Sequence, residues 1–331
     1  MAERDKVTTF VIEGGGSHTS AARYEDGHRI EVIHGPTSNP RSIPLDAASA
    51  TLTTMLAELL DTVEGQVAVY VAHGAASTAI EAAFLGQRLA SVFGTARLTR
   101  LVVANDLLPL AMFAPTRDTV VAAAGTGTGF IARSRDGRWA RASGHEFVLT
   151  DEGGGFDLGQ QALRAAIRHL DGRGSVTAMT GLLTERLGVT ADSLLERLFA
   201  LVHTDPAQIK ATVAGFADLV FTAADSGDSE AARILRHSAW EIWLGTSATS
   251  RRLGISLDGS VLLLTGSLLT ARPNLRDLVL TKVRAAAPAA EIVVTTSDLL
   301  EPVVRLDGDH LRREADAHPW LPYYSIDRSA T

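Results

Sequence analysis

The stretch VVAAAGTGTGFIARSRDGRWARASGHEFVLTDEGGGFDLG, from Val120 to Gly159, decides how this chain is organised. An apolar, strand-like run enters a Gly-Thr-Gly-Thr-Gly turn, a second strand follows, and Asp136-Gly137 turns the chain into a third. Glycines directly after a strand let the backbone approach a ligand closely, and successive amide groups there can point at phosphate oxygens. The pattern therefore indicates a nucleotide site, although a plain tight turn gives the same local sequence.

Near the N-terminus the chain repeats this plan. In TTFVIEGGGSHTSAARYEDGHRIEVIHG an apolar strand enters the turn Gly14 to Ser17, and a second strand leads to Asp26-Gly27, which is a strong hairpin signal. The glycine turns and the Asp-Gly pairs are spaced almost equally in the two copies. The sequence therefore predicts a duplicated fold, in which two glycine turns hold the phosphates of one nucleotide from both sides of a cleft. Two unrelated meanders are the alternative.

Apolar runs and helical periodicity alternate through the rest of the chain, which predicts an α/β architecture. A loop is expected over residues 34–44 and an irregular, surface-packed tail after the last strand. We expect an N-terminal domain over residues 1–105, a C-terminal domain with a helical insertion over 106–299, and a tail of about 300–331 that packs back on the first domain. The predicted helices cover residues 45–63, 77–93, 155–170, 229–244 and 274–287, and the further strands 66–72, 100–104, 260–265 and 291–295.

Composition limits the class of function. The chain has 331 residues, 46% of them hydrophobic, which is enough for two domains with ordinary cores. A net charge of -7 without clustered Lys or Arg argues against nucleic acid or an anionic membrane as a partner and favours a small molecule. The sequence shows no signal peptide and no bilayer-spanning run, so a cytoplasmic location is expected. The absence of cysteine excludes iron–sulfur clusters and cysteine nucleophiles.

Asp106 follows the predicted strand over residues 100–104. In parallel α/β sheets ligands gather at the carboxyl ends of strands, so this carboxylate is placed to accept a proton from a substrate hydroxyl. Capping of the helix that begins near Leu107, by Asn105 or by Asp106 itself, is the alternative.

Acidic residues stand directly before two of the glycine runs. Asp151 and Glu152 precede three glycines and a helix, and such a loop either presents carboxylates and amides to a polar ligand or hydrated Mg²⁺, or caps the helix. Glu13 stands directly before the first turn, where an acid beside phosphates needs a bridging cation. His18 offers a hydrogen-bond donor in the same turn.

Together these motifs resemble the N-acetylglucosamine kinase branch of the BadF/BadG/BcrA/BcrD ATPases, within the actin-like and sugar-kinase ATPase superfamily. The resemblance covers most of the chain. It implies a duplicated ribonuclease H-like fold with two domains around a cleft, and an ATP- and Mg²⁺-dependent kinase of an amino sugar that forms a homodimer. The matching motifs are Glu13 to Thr19, Asn105-Asp106, Gly125 to Thr128, Asp151-Glu152-Gly153, DGRGSVTAMT from Asp171, FADLV from Phe216, and Leu264 to Ser267.

Carried over residue by residue, the resemblance implies that Asp106 is the general base for a sugar hydroxyl and that Glu13 holds Mg²⁺ through water. The residues assigned to ATP are Gly15, Gly16, Ser17, His18, Thr19, Gly125, Thr126, Gly266 and Ser267. The residues assigned to the sugar are Asn39, Asp106, Thr126, Gly127 and Asp151.

The sequence departs from the family pattern at three places. Glu13 replaces the usual aspartate and leaves less room for a metal-bound water, and His18 replaces a lysine that would bind phosphate better. The segment GHEF from Gly144 stands where the family often has Gly-Trp-Gly-Pro, which adds His145 and Glu146 to the expected sugar site. A carboxylate there favours an ammonium group, so glucosamine is expected to be the better substrate than N-acetylglucosamine. Exposure of Glu146 to solvent is the alternative.

Two other functions are considered beside the kinase. Some members of the family are ATPase activators of radical enzymes, but these hold an iron–sulfur cluster through cysteines, which this chain lacks. A non-catalytic sugar or nucleotide sensor is suggested by the departures at Glu13 and His18. Asp106 argues against it, because a sensor has little use for a base at that position.

Overall fold

The computed structural model divides the chain into two compact units. Unit 1 comprises Met1–Pro115 together with Asp298–Thr331, and unit 2 comprises Thr116–Ser297. The division falls after Pro115 and not after residue 105, because the short helix Leu108–Ala111 is buried and packs within unit 1 against Leu300–Val304. The residues that the structure describes are 7–16, 18–40, 43–61, 63–93, 97–204, 209–295, 300–304 and 308–328.

The strands and helices follow one another in an alternating order. The strands are β1 (Val7–Gly14), β2 (His18–Glu25), β3 (His28–Pro36), β4 (Gln66–His73), β5 (Leu98–Ala104), β6 (Thr119–Ala124), β7 (Thr128–Arg133), β8 (Trp139–Ser143), β9 (Val261–Thr265), β10 (Glu291–Val294) and β11 (Tyr323–Asp327). The helices are α1 (Leu45–Leu60), α2 (Ala79–Phe93), α3 (Leu108–Ala111), α4 (Gly155–Leu170), α5 (Met179–Leu187), α6 (Leu194–Thr204), α7 (Ile209–Ala214), α8 (Ala217–Asp225), α9 (Ser229–Leu253), α10 (Ser267–Thr270), α11 (Pro273–Ala286), α12 (Leu300–Val304) and α13 (Gly308–Ala317).

The sheet of unit 1 has the strand order β11-β5-β4-β1-β2-β3 among the described residues. β1, β2 and β3 form an antiparallel meander, and β1, β4 and β5 run parallel. Asp26 and Gly27 both take positive φ, 51° and 79°, as the predicted hairpin turn requires. β3 extends to Pro36, so the loop expected over 34–44 begins later; β3 is an edge strand, where proline is tolerated.

Helices α1 and α2 bury their apolar faces in the core of unit 1. Leu56 of α1 and Leu89 of α2 belong to the same buried cluster as Phe10 of β1. The rings of Phe10 and Phe93 lie 5.7 Å apart. Helical spacing of apolar residues predicted the first helix, and the helices expected over 45–63 and 77–93 are both present, with bounds that differ by two or three residues at one end.

The described part of the C-terminal segment has regular structure, and the expectation of an irregular tail is wrong there. It forms α12, α13 and β11, and β11 pairs antiparallel with β5. Tyr324 lies against Gly86 of α2, where a Cβ would come within 2.2 Å of the tyrosine ring. Because its partner strand lies far upstream, the pattern of the tail alone does not reveal this pairing.

The sheet of unit 2 has the order β10-β9-β6-β7-β8. β6, β7 and β8 are antiparallel, and β6, β9 and β10 are parallel. This repeats the order and directions of β5-β4-β1-β2-β3 in unit 1. The predicted duplication is therefore confirmed.

The helices α4 to α9 stand between β8 and β9 and form the predicted insertion. Helix α4 has the predicted bounds, and α9 runs 25 residues, past the predicted end at 244, to Gly254 with φ of 65°. Leu158 of α4 and Ile242 of α9 are fully buried with Leu262 of β9. Over the described ranges, every helix is too short or too polar to cross a membrane.

Candidate active site

The glycine turn of unit 1 connects β1 with β2 and contacts the end of β4. The Gly15 amide donates to the His18 carbonyl at 3.0 Å, and the Gly74 amide donates to the Gly14 carbonyl at 2.8 Å. A Cβ on Gly14 would lie 2.2 Å from the His73 ring, so glycine is required there. The amide of Gly15, which the sequence assigned to ATP, is thus already used to close the turn.

The other residues of this turn differ in exposure and in hydrogen bonding. Gly16 is exposed at the tip, whereas Ser17 lies outside the described residues. Thr19 is fully buried, and its hydroxyl lies 2.7 Å from the Ser38 hydroxyl and accepts from the Ser38 amide at 2.9 Å. The Ser38 hydroxyl in turn lies 2.9 Å from Nε2 of His73. The Thr19 side chain is therefore part of the scaffold beneath the turn, and we correct its assignment to ATP accordingly.

Glu13 is a buried acid at the end of β1, with 5% of its surface exposed. Burial, and secondly the charge of Asp106, raise the pKa of Glu13 to about 8. The largely exposed His18 places Nε2 3.7 Å from Oε2 of Glu13. At neutral pH the Glu13 carboxyl therefore holds a proton unless a cation lies beside it.

The residues around Glu13 fit a cation that keeps its water ligands better than one coordinated only by protein side chains. Within the described ranges, no group of three or more His, Asp or Glu side chains is placed to hold a metal ion. The carboxyl groups of Glu13 and Asp106, which interact electrostatically, suit Mg²⁺, because this ion keeps several of its waters when it binds to proteins.

Asp106 follows β5 and is half-buried beside Asn39. A Cβ placed on Gly74 would lie 3.4 Å from Oδ2 of Asp106 and 3.7 Å from Nδ2 of Asn39. The predicted base and a predicted sugar residue are thus brought to the same place in unit 1. The Asn105 side chain accepts from the Leu107 amide at 3.1 Å, so Asn105 supplies the turn that precedes α3.

The ends of β6 and β9 meet in unit 2 and bring two predicted ATP segments together. The Gly125 amide donates to the Gly127 carbonyl at 2.9 Å. A Cβ on Gly125 would lie 3.9 Å from Oγ of Ser267. Gly266 has a φ of 85°, and a Cβ there would lie 2.4 Å from the Ala124 carbonyl oxygen. Close backbone contact therefore requires glycine between β9 and α10.

The three glycines after Glu152 bring helix α4 against this turn. The Gly155 amide donates to the Gly125 carbonyl at 2.8 Å, and the Phe156 amide donates to the Thr126 carbonyl at 2.9 Å. The carbonyl of Thr126 is thus used in docking α4, which leaves its side chain for the role that the sequence predicts.

Asp151 is a buried carboxylate beside the same turn, with 5% of its surface exposed. Its Oδ1 lies 3.4 Å from the Thr128 amide, and a Cβ on Gly127 would lie 2.3 Å from its Oδ2. Burial raises the pKa of Asp151, and the positive charge of Lys210 opposes that shift. Gly127 therefore serves the site by leaving room for the Asp151 carboxylate.

Lys210 of α7 is the site residue that the sequence did not reveal. Its ammonium lies 3.0 Å from Oε2 of Glu146 and 3.6 Å from Oδ2 of Asp151. The expectation of a free carboxylate at Glu146 is corrected, because the chain supplies its own ammonium there. His145 is exposed, and its amide donates to the Thr150 hydroxyl at 2.9 Å.

The fold and the sites define the class of this protein. Two units with the same strand order, each with a glycine turn after its first strand, form the duplicated ribonuclease H-like fold of actin-like ATPases and sugar kinases. The chain belongs to the BadF/BadG/BcrA/BcrD ATPase family, whose sequence profile matches residues 12–298. The resemblance of the sequence motifs to this family is thereby confirmed.

Relatives with known names point to one branch of this family. The N-acetylmuramic acid/N-acetylglucosamine kinase of Clostridium acetobutylicum is 26% identical over 266 residues, which cover 78% of this chain and 84% of the relative. The N-acetyl-D-glucosamine kinase of Dictyostelium discoideum is 25% identical, over 87% of this chain and 93% of the relative. A solved structure from Chromobacterium violaceum, provisionally named an N-acetylglucosamine kinase, has a TM-score of 0.69 at 23% identity and covers 90% of this chain and 97% of its own.

Proposed function

We propose that this chain is an ATP-dependent kinase that phosphorylates a hydroxyl group of an N-acetylated amino sugar. The observation that carries the proposal is the position of Asp106, which lies at the carboxyl end of β5 beside Asn39 and close enough to Glu13 to raise its pKa. Family membership and the names of the relatives support the same activity.

In this proposal Asp106 accepts the proton of the attacking sugar hydroxyl, and Asn39 orients the sugar. Asp151 is a further sugar ligand in this proposal. Phosphoryl transfer needs little covalent chemistry from the protein, so holding the hydroxyl in line with the terminal phosphate supplies most of the rate.

The glycine turns take the ATP phosphates, and Gly266 and Ser267 take the adenosine. Glu13 would hold Mg²⁺ through water, and the ion, when bound, neutralises charge that develops on the phosphates. The exposed His18 would donate to a phosphate oxygen. Assembly as a homodimer is part of the proposal.

The N-acetyl preference replaces the preference for a free amino sugar that the sequence suggested. That expectation depended on a spare carboxylate at Glu146, and Lys210 is 3.0 Å from it. A neutral acetamido group has no need of an unpaired acid. Both named relatives act on N-acetylated sugars.

The direct test is ADP release from ATP and Mg²⁺ against hexoses, free amino sugars and N-acetylated sugars. We expect turnover with N-acetylglucosamine or N-acetylmuramic acid and at least roughly tenfold lower kcat/KM with glucosamine. The ammonium of glucosamine would have to compete with the contact between Lys210 and Glu146, and one charge-assisted contact is worth about 1.5–3 kcal/mol. The departures at Glu13 and His18 favour a sugar sensor as the second candidate. Sugar binding detected by calorimetry, with no release of ADP from ATP in the presence of any of the sugars, would support the sensor and contradict the kinase.

A further inference from the structure

We propose that Lys210 sets the choice between N-acetylated and free amino sugars, because its ammonium group occupies the acidic position that the ammonium of a free amino sugar would otherwise take. The inference rests on the proposed function and adds a residue that determines specificity.

Lys210 is surrounded by the groups that proteins offer to a cationic ligand. Its ammonium lies 3.0 Å from Oε2 of Glu146, 3.6 Å from Oδ2 of Asp151 and 5.5 Å from the ring centroid of Phe147. Only 13% of the Lys210 side chain is exposed, against 32% for Glu146 and 7% for Asp151. Two carboxylates and an aromatic face around a mostly buried position form a binding site for an ammonium group.

This cluster lies beside the glycine turn of unit 2. Oδ1 of Asp151 is 3.4 Å from the Thr128 amide, and its Oδ2 fills the space that a side chain on Gly127 would need. A phosphoryl acceptor must come within contact of the terminal phosphate. If that turn holds the phosphates, the sugar that accepts the phosphoryl group lies next to this cluster.

The backbone around the two acids supports a binding role. Glu146 has a φ of 79° and Asp151 a φ of 73°, a region in which residues other than glycine are uncommon. Such conformations persist where surrounding contacts fix them, and they are frequent at ligand sites. Lys210 contacts both of these acids and is therefore placed to fix the segment between them.

Charge balance then predicts the preference. With Lys210 in place, the two acids and one lysine carry a single net negative charge. A sugar ammonium would have to compete with a lysine that is already bound, whereas a neutral acetamido group would not. Without Lys210, two partly buried carboxylates lose the ammonium group that contacts them both, and the ammonium of a cationic sugar can take its place.

The test compares glucosamine with N-acetylglucosamine in Lys210→Met, at a pH at which glucosamine is cationic. The ratio of kcat/KM for glucosamine to that for N-acetylglucosamine should rise at least about tenfold over the wild type, which corresponds to about 1.4 kcal/mol. Lys210→Arg should keep the ratio within about threefold, because it keeps the charge. The double variant Lys210→Met/Glu146→Gln should lose most of the gain, since one acid is removed.

A matched control is Lys282→Met, in which the lost lysine lies 4.9 Å from the ring of Trp240 on other helices of unit 2. It should leave the ratio unchanged. An equal loss of kcat/KM for both sugars in Lys210→Met would show that Lys210 only holds the segment, and would overturn the inference. A wild type that phosphorylates no amino sugar would contradict the proposed function instead. The dissociation constants of glucosamine and N-acetylglucosamine would then be compared in Lys210→Met and the wild type. An unchanged ratio of the two constants, or no binding of either sugar, would overturn the inference.

Discussion

Replacing Glu13 by glutamine should change how the stability of unit 1 depends on pH. Burial and the charge of Asp106 raise the pKa of this carboxyl from its ordinary value of 4.5 to about 8. The native state therefore binds the proton more tightly than the unfolded chain. Stability from this group is fully present below pH 4.5 and is lost as the pH rises through 8.

The size of the effect follows from the two pKa values. Each unit of difference corresponds to about 1.4 kcal/mol, so the 3.5 units between 4.5 and 8 give an upper limit of about 5 kcal/mol. Relaxation of the site and penetration of water reduce this figure. Glutamine carries no titrating proton, so Glu13→Gln should become steadily more stable than the wild type across this interval.

Calorimetric melting in EDTA at several pH values measures the difference. For a unit of this size, about 1 kcal/mol shifts the melting temperature by roughly 2–4 °C, so the upper limit for the gain of Glu13→Gln on the wild type between about pH 5 and pH 9 is roughly 10–20 °C. Glu58→Gln, which replaces an exposed acid on α1, is the matched control and should follow the wild type. Parallel curves for Glu13→Gln and the wild type would refute the reasoning about a buried, protonated carboxyl.

Further predictions concern the metal site and the glycine turn of unit 2. Glu13→Asp should keep or raise the Mg²⁺-dependent rate, and a loss of more than about tenfold, or about 1.4 kcal/mol, would show that the site has adapted to the longer side chain. Gly127→Ala should lower kcat/KM for the sugar at least about tenfold, since the new Cβ would lie 2.3 Å from Oδ2 of Asp151. Gly181→Ala, where the new Cβ meets no atom within 4 Å, is its control and should keep wild-type kinetics. Equal rates for the two alanine variants would contradict the geometry at Asp151.

The sequence predicted the parts of the fold that local patterns specify. Strand, glycine turn and Asp-Gly hairpin appear twice at almost the same spacing, and the two sheets repeat one strand order. Helices such as α4 were found with their bounds, because apolar residues recur at helical spacing and glycines precede the first turn. Strand β11 was missed because its pairing with β5 is a long-range contact, and neither Tyr323 nor Tyr324 signals it locally.

In the candidate site too, local sequence patterns reveal some residues and miss those that only long-range contacts bring together. Asp106 follows β5 closely, and Asp151 precedes three glycines and α4, so a local sequence pattern can point to each of them. Lys210 lies in a six-residue helix with no motif of its own, and only the folded chain brings it to Glu146 and Asp151. The family resemblance assigned Thr19 to ATP, yet its hydroxyl lies within hydrogen-bond distance of the Ser38 hydroxyl in the scaffold beneath the turn.

Asp106 carries the central claim of this account, and one measurement tests it most directly. The turnover of Asp106→Asn with ATP, Mg²⁺ and N-acetylglucosamine is compared with that of the wild type, while ATP affinity is measured on the same preparations by calorimetry. Asparagine keeps the shape of the side chain and loses only the proton acceptor. We predict that kcat falls by at least about 10²-fold with nearly unchanged ATP binding. Turnover near the wild-type value would contradict the account, because Asp106 would then not be the general base.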